Sequence, residues 1–215
     1  MAAPNEPKTE EIVVTAYSKR FAAAFDDLLG IEGGFVDDPA DRGGTTKYGI
    51  SLRFLKAAGD IDEDLDGYAD FDLDFDGDID GIDIRKLTIG DARYLYLEHF
   101  WKPLDCDSFA APIGEIMFDQ GVNGGNHAAR KLLQQAINQV VGAHRYRSIP
   151  LKLDGKIGDL TRAQLDSMIK RHGVGEIVEA YREAVKDRYM AIVRRNPSQS
   201  KFLRGWLNRA EKLGR

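Results

Sequence analysis

The chain has 215 residues, of which 43% are hydrophobic and 30% charged, which suffices for a packed core and excludes wholesale disorder. The single cysteine, Cys106, excludes an internal disulfide and any Cys/His zinc spacing. No apolar run reaches the 18 residues of a membrane span, so no stable membrane insertion is expected. The formal net charge of -5 conceals two opposite regions. Asp60 to Asp83 holds eleven Asp and one Glu without a Lys or Arg, whereas residues 143–215 carry 17 Lys/Arg against 8 Asp/Glu. The basic end suits polyanions and the acidic stretch suits cations.

Residues 1–13 begin with Pro and charged residues and read as a loose tail, without the basic and apolar segments of a secretory leader. From Thr15, Tyr17, Phe21, Ala24, Phe25, Leu28 and Leu29 recur at helical spacing, and Gly30 reads as a C-cap. Ile31 to Ile50 is Gly-rich and contains Pro39, which predicts turns or a tight β-hairpin. Ser51 can cap a short helix through Ala58. Thr88 and Asp91 form a capping box for a helix running to about Trp101, and Pro103 should end it. Further helices are expected over Ile113–Gly121, Ala128–Val141, Glu176–Val193 and Phe202–Leu213.

The acidic stretch repeats one pattern ten residues apart. The first copy runs Asp62, Asp64, Asp66, Gly67, Asp70; the second runs Asp72, Asp74, Asp76, Gly77, Asp80, Asp83. The second matches the twelve-residue EF-hand loop, in which alternate carboxylates converge on calcium and Gly at the sixth position permits the sharp turn. Asp78 would contribute only its backbone carbonyl, and Ile79 would pack its side chain away from the ion. Asp83 replaces the usual closing Glu, whereas the first copy has Leu73 there. Calcium is the expected cofactor.

Glu32 lies at the end of the first predicted helix, with Asp41 nine residues on, beyond Gly-rich turns. A carboxyl pair of this kind can flank a sugar bond, one giving a proton to the leaving oxygen and the other activating water or stabilising positive charge. The wording of the stretch is more telling. Glu32-Gly-Gly-Phe followed by Asp41-Arg-Gly-Gly-Thr45-Thr46-Lys-Tyr48-Gly-Ile resembles the signature of glycoside hydrolase family 108, the phage and bacterial N-acetylmuramidases. Phe100-Trp101-Lys-Pro103, Phe118-Asp119-Gln-Gly-Val-Asn123 and Phe202-Leu-Arg-Gly-Trp206-Leu-Asn-Arg209 are similar to its downstream motifs. Leu153-Asp-Gly-Lys-Ile-Gly158-Asp-Leu-Thr161 resembles its C-terminal peptidoglycan-binding module, although it equally suits a tight turn before a helix.

The resemblance implies a mostly α, lysozyme-like α+β fold with a small N-terminal β-hairpin, an inserted EF-hand-like loop and a helical C-terminal part. It divides the chain into a tail (1–13), a catalytic region (14–112, with the insert at 60–83) and a peptidoglycan-binding-like region (113–215). It implies an endolysin that hydrolyses the β-1,4 bond between N-acetylmuramic acid and N-acetylglucosamine, with Glu32 as general acid. Asp41 and Thr46 match the remaining members of a lysozyme triad, with one residue fewer between them than usual. Tyr48, Asp119 and Asn123 are the expected substrate contacts. Trp101 and Trp206 are read as core aromatics rather than sugar platforms. The partner is bacterial peptidoglycan, with no nucleic acid, and a monomer is expected. Without a visible leader, the protein would be made in the host cytoplasm and reach the wall in the periplasm after release. A lytic transglycosylase, and a non-enzymatic calcium-binding wall protein, are the alternatives.

Overall fold

The structure is a computed structural model, and it describes residues 17–32, 45–62, 65 and 67–215, the side chains of Ile31 and Glu32 excepted. Helix α1 (Lys19–Glu32) starts at Ser18, whose hydroxyl accepts the Phe21 N–H at 3.1 Å, not at Thr15. Phe21, Phe25 and Leu28 form its fully buried stripe. The helix runs through Gly30 instead of ending there. Gly30 does not adopt the left-handed conformation of a C-cap, so the helical hydrogen bonds continue and Glu32 becomes the last helical residue.

Two short antiparallel strands follow, β1 (Thr46–Lys47) and β2 (Ile50–Ser51), with Thr46 opposite Ser51 and Lys47 opposite Ile50. The intervening Tyr48 and Gly49 both have positive φ, 53° and 75°, the signature of a tight hairpin turn whose twist matches the strands. The Tyr96 hydroxyl donates to the Tyr48 carbonyl at 3.1 Å, which ties the turn to the core. Ser51 then caps α2 (Leu52–Ala58) through the Phe54 N–H, as its sequence predicts.

After the acidic loops come α3 (Gly81–Lys86) and α4 (Ile89–Tyr96), the latter opened by the Thr88/Asp91 capping box. Pro103 does not stop the chain. Leu97–Trp101 forms a turn of π-helix, Lys102 donating to Leu97 five residues back, and α5 (Lys102–Leu104) continues it with Pro103 inside. Proline has no N–H for the carbonyl of His99, four residues earlier. Asn126 supplies one instead, its Nδ2 donating to that oxygen at 2.8 Å. The turn ends at Asp105, φ 56°.

Helix α6 (Ile113–Gly124) runs through the middle of the molecule, with Ile113, Ile116, Met117, Phe118 and Gln120 all at most 1% exposed. It packs against α1, α7 (Asn126–Ala143) and α9 (Val174–Arg195). The Phe118 ring lies 5.4–6.1 Å from Phe21, Tyr96 and Trp101, forming one aromatic cluster. Trp101 is 2% exposed and its Nε1 donates to Asp107 at 2.7 Å, a core residue as expected. Helices α8 (Asp159–His172) and α10 (Ser200–Lys212) complete a mostly helical, lysozyme-like α+β fold.

The Asp154-Gly155 turn ahead of α8 is held by α7. Gln134 donates to Asp154 Oδ1 and to the Lys156 carbonyl, both at 3.0 Å, and accepts the Gly155 N–H at 2.8 Å. Asn138 pairs with both backbone groups of Leu151. Gly155 has φ 69°, and a Cβ there would meet the His127 ring at 2.5 Å. The Asp-Gly-Lys motif is thus built for this clamp.

Candidate active site and acidic loops

A groove of about 850 Å³ opens between α1, α6, α9 and α10. One wall is α1, through Ala24, Asp27 and Leu28. Glu32 closes that helix one turn beyond Leu28, which puts its backbone at one end of the groove wall. The Glu32 side chain and Asp41 lie outside the described residues, so the carboxyl pair has no measured separation.

Two of the expected substrate contacts, Asp119 and Asn123, stand one turn apart on α6 and line the groove. Asn123 Nδ2 donates to the Asp119 carbonyl at 2.7 Å. The Asp119 carboxylate accepts from Arg209 on α10 at 2.8 and 3.2 Å and from Gln120 at 2.9 Å. Glu115, one turn earlier, accepts from Nε and Nη2 of Arg20, both at 2.7 Å. Both carboxylates are thus fixed by charge-assisted hydrogen bonds from guanidinium groups.

Glycines in the same motif serve packing. A Cβ at Gly124 would come within 2.4 Å of the Arg188 guanidinium, and one at Gly121 within 2.7 Å of Leu104. The Phe118–Asn123 motif therefore combines a buried face, a groove face and two close approaches on one helix.

Thr46 and Tyr48 are placed apart from these residues, on the hairpin, and do not line the groove. Lys47 Nζ lies 5.4 Å from the Tyr48 ring centre. Tyr189 and Trp206 form the groove's aromatic wall. Trp206 is partly buried and packed against the core while also lining the groove, and its ring lies 5.3 Å from Tyr189 and 5.9 Å from the exposed Phe202. Arg209, like Trp206, stands inside the Phe202–Arg209 motif. Their shared spacing on one helix face was the signal available.

The described residues of the two acidic loops share several features. Leu65 and Phe75 at the fourth positions have φ 60°, and Gly67 and Gly77 at the sixth have φ 96° and 97°. In each copy the first Asp accepts the sixth residue's N–H: Gly67 to Asp62 at 3.1 Å, Gly77 to Asp72 at 2.8 Å. Carboxylate oxygens of Asp72, Asp74 and Asp76 lie within 4.8 Å of one another. One Asp74 oxygen is buried without a hydrogen-bond partner. Burial first, then the charges of Asp76, Asp83 and Asp72, hold the Asp74 carboxyl above its ordinary range. Such a set fits a hard cation with several oxygen ligands.

Two further carboxylates of the second loop, Asp80 and Asp83, have backbone partners. Asp80 caps α3, and Asp83, fully buried, accepts the Leu73 and Asp80 N–H groups at 2.7 and 2.6 Å. Asp78 is exposed and Ile79 is 6% exposed, its side chain packed inward. Asp64 and Asp66 lie outside the described residues; Asp70 is exposed. Cys106 is fully buried, and burial pushes its thiol far above the usual range, which makes it inert.

No protein of curated function matches the sequence. Among solved structures, that of Brucella abortus SagA is similar at 24% identity over 90% of each chain, with a TM-score of 0.64, which speaks for the shared fold. Residues 25–125 match the family described as Glycosyl hydrolase 108, and residues 128–211 match the Predicted Peptidoglycan domain. The first match spans α1, the hairpin, the acidic loops and α6, and the second spans the helices that carry the far wall of the groove. With both in this order over most of its length, the chain carries a glycosyl hydrolase 108 domain followed by a peptidoglycan domain, and it is a glycoside hydrolase acting on peptidoglycan.

Proposed function

We propose that the chain hydrolyses the β-1,4 bond between N-acetylmuramic acid and N-acetylglucosamine, as an endolysin, with Glu32 as general acid. The reading rests on one juxtaposition: the Glu-Gly-Gly motif begins on the last residue of α1, and the same helix forms a wall of the groove. Glu32 protonates the glycosidic oxygen as the bond breaks, and Asp41 activates water or stabilises the oxocarbenium-like centre. Asn123 and Asp119 bind sugar hydroxyls in the groove from α6, while Thr46 and Tyr48, on the hairpin outside that groove, keep the catalytic and the substrate-binding role only through their place in the family motif. The division of labour follows the chain: residues 14–112 cleave and residues 113–215 hold the wall polymer. It acts as a monomer, made in the host cytoplasm and active in the periplasm after release.

Calcium belongs to the second acidic loop, held by Asp72, Asp74 and Asp76, the Asp78 carbonyl, and Asp80 and Asp83. Asp62, Asp64, Asp66 and Asp70 form a second, weaker site that lacks a closing carboxylate. Bound there, calcium supplies charge compensation and fixes how α3 leaves the loop.

Digestion of purified sacculi, followed by analysis of the new chain ends, tests the bond. Reducing muramic acid ends are expected. Reducing glucosamine ends would move the cut to the other bond, and 1,6-anhydro ends would make the enzyme a lytic transglycosylase.

A further inference from the structure

One cluster outside the groove and the acidic loops brings nitrogen ligands together. His144 is the C-cap of α7, His172 the last residue of α8, and Glu176 stands in the first turn of α9. His144 Nε2 lies 2.6 Å from Glu176 Oε1, and His172 Nδ1 lies 3.6 Å from Glu176 Oε2. The two imidazoles stack face to face, with centroids 3.7 Å apart and planes at 17°. One ligand atom from each of the three residues lies within 4.8 Å of the other two. Behind them, the Tyr146 hydroxyl meets His172 Nε2 at 3.0 Å, and the Arg171 guanidinium lies over the Tyr146 ring.

Helix-end electrostatics explains part of this. Cationic rings suit the C-termini of α7 and α8, and a carboxylate suits the first turn of α9. It does not explain the stack, because two imidazolium rings in face-to-face contact repel. Two imidazole nitrogens and a carboxylate oxygen are ligands for one class of metal, and here an atom of each lies within 4.8 Å of the other two. A hydroxyl fixing the far nitrogen of His172 leaves Nδ1 directed at the carboxylate, the arrangement found around metal-bound imidazoles.

We infer that His144, His172 and Glu176 form a binding site for a first-row divalent cation of the zinc class, which clamps the ends of α7, α8 and α9. Two imidazoles and one carboxylate suit zinc, whereas calcium prefers an all-oxygen shell. Tetrahedral zinc, 2.0–2.1 Å from its nitrogens, holds ligand atoms roughly 3.3–3.5 Å apart. Side-chain rotation closes the difference, and the His144 and Glu176 side chains are 35% and 36% exposed, with room to turn. The fourth position goes to water or to a donor on the bound polymer. The site lies within the match to the peptidoglycan domain, residues 128–211. Its occupancy sets the packing of three helices there and needs neither Glu32 nor the acidic loops.

The test uses the full chain, stripped with chelator and returned to saturating calcium so that the acidic loops are filled. Titration with zinc followed by calorimetry should give one equivalent bound. Zinc at a hundred times its dissociation constant should raise the melting temperature by roughly 5–11 °C. Cobalt as a substitute should give the intense visible absorption of a four-coordinate ion. His144→Gln, on a ligand with room to turn, should lose at least tenfold in zinc affinity and the cobalt spectrum while folding as wild type. Glu176→Gln should do the same, and Glu32→Gln should bind zinc unchanged. Zinc that binds wild type and His144→Gln equally, or no binding up to millimolar zinc, would overturn the site.

Discussion

At the scale of single residues, the pairing of Asp119 with Arg209 carries the most consequence. The two side chains are 17% and 16% exposed, and they join α6 to α10 across the groove. Removing one partner of a buried ion pair leaves the other unpaired, which costs about 3 kcal/mol at the lower end of the range. Arg209→Met should therefore lower the melting temperature by roughly 6–12 °C for a chain of this size. Adding Asp119→Leu to it should recover much of that loss, because no unpaired charge then remains. If the single variant melts with wild type, the pair is a solvated contact with no structural part. Two separate sequence motifs hold these residues, 90 positions apart. Only the packing of α10 against α9 and α6 brings them together.

At the scale of elements, local chemistry was the readable part. Ser51 and the Thr88/Asp91 pair cap helices as their side chains dictate, and the stripes of α6, α7, α9 and α10 predict their helices within a few residues. What escaped depends on distant partners. Pro103 stays helical because Asn126, 23 positions on, satisfies the carbonyl it leaves bare. Helix α3 was hidden because Asp80 and Asp83 read as ion ligands, and the same two carboxylates also cap a helix. Trp206 reads as core by residue type, and it lies on the groove because α10 is amphipathic with its aromatic edge turned there. The candidate site was legible as motifs, while the split between groove and hairpin was not.

The acidic loops belong to the same scale. A cation bound only by the folded chain at a hundred times its dissociation constant adds about 2.7 kcal/mol, so chelation should lower the melting temperature by roughly 5–11 °C. Magnesium should restore little of it, since it prefers a smaller octahedral shell. Asp74→Asn discriminates further. Asp74 keeps one buried oxygen without a hydrogen-bond partner, and burial and the neighbouring acids raise its carboxyl. In chelator the variant should melt at or above wild type, and in calcium it should melt below. Identical melting of wild type with calcium and with chelator would reduce the loops to solvated acids.

At the scale of the whole molecule, charge is distributed by task. The 17 Lys/Arg against 8 Asp/Glu in residues 143–215 face a polymer rich in carboxylates. Co-sedimentation with sacculi should weaken as salt shortens the Debye length from about 10 Å at 0.1 M to about 3 Å at 1 M. Reversing the exposed Arg194 and Arg195 to Glu at the end of α9 should weaken it at low salt too. That change costs about 0.3–1 kcal/mol per residue through the helix dipole, so the fold should survive it. Equal sedimentation of both proteins at low salt would remove electrostatics from wall binding.

The central claim is that the residue closing α1 is the acid that breaks the sugar bond. The most direct measurement is the rate of muramic acid end release from purified sacculi by wild type and by Glu32→Gln, with melting temperatures recorded alongside. The amide keeps the shape and removes the proton, and general acid catalysis supplies about 10²–10⁴-fold. The account predicts a loss of at least a hundredfold with an unchanged melting temperature; a variant within threefold of wild type would contradict it.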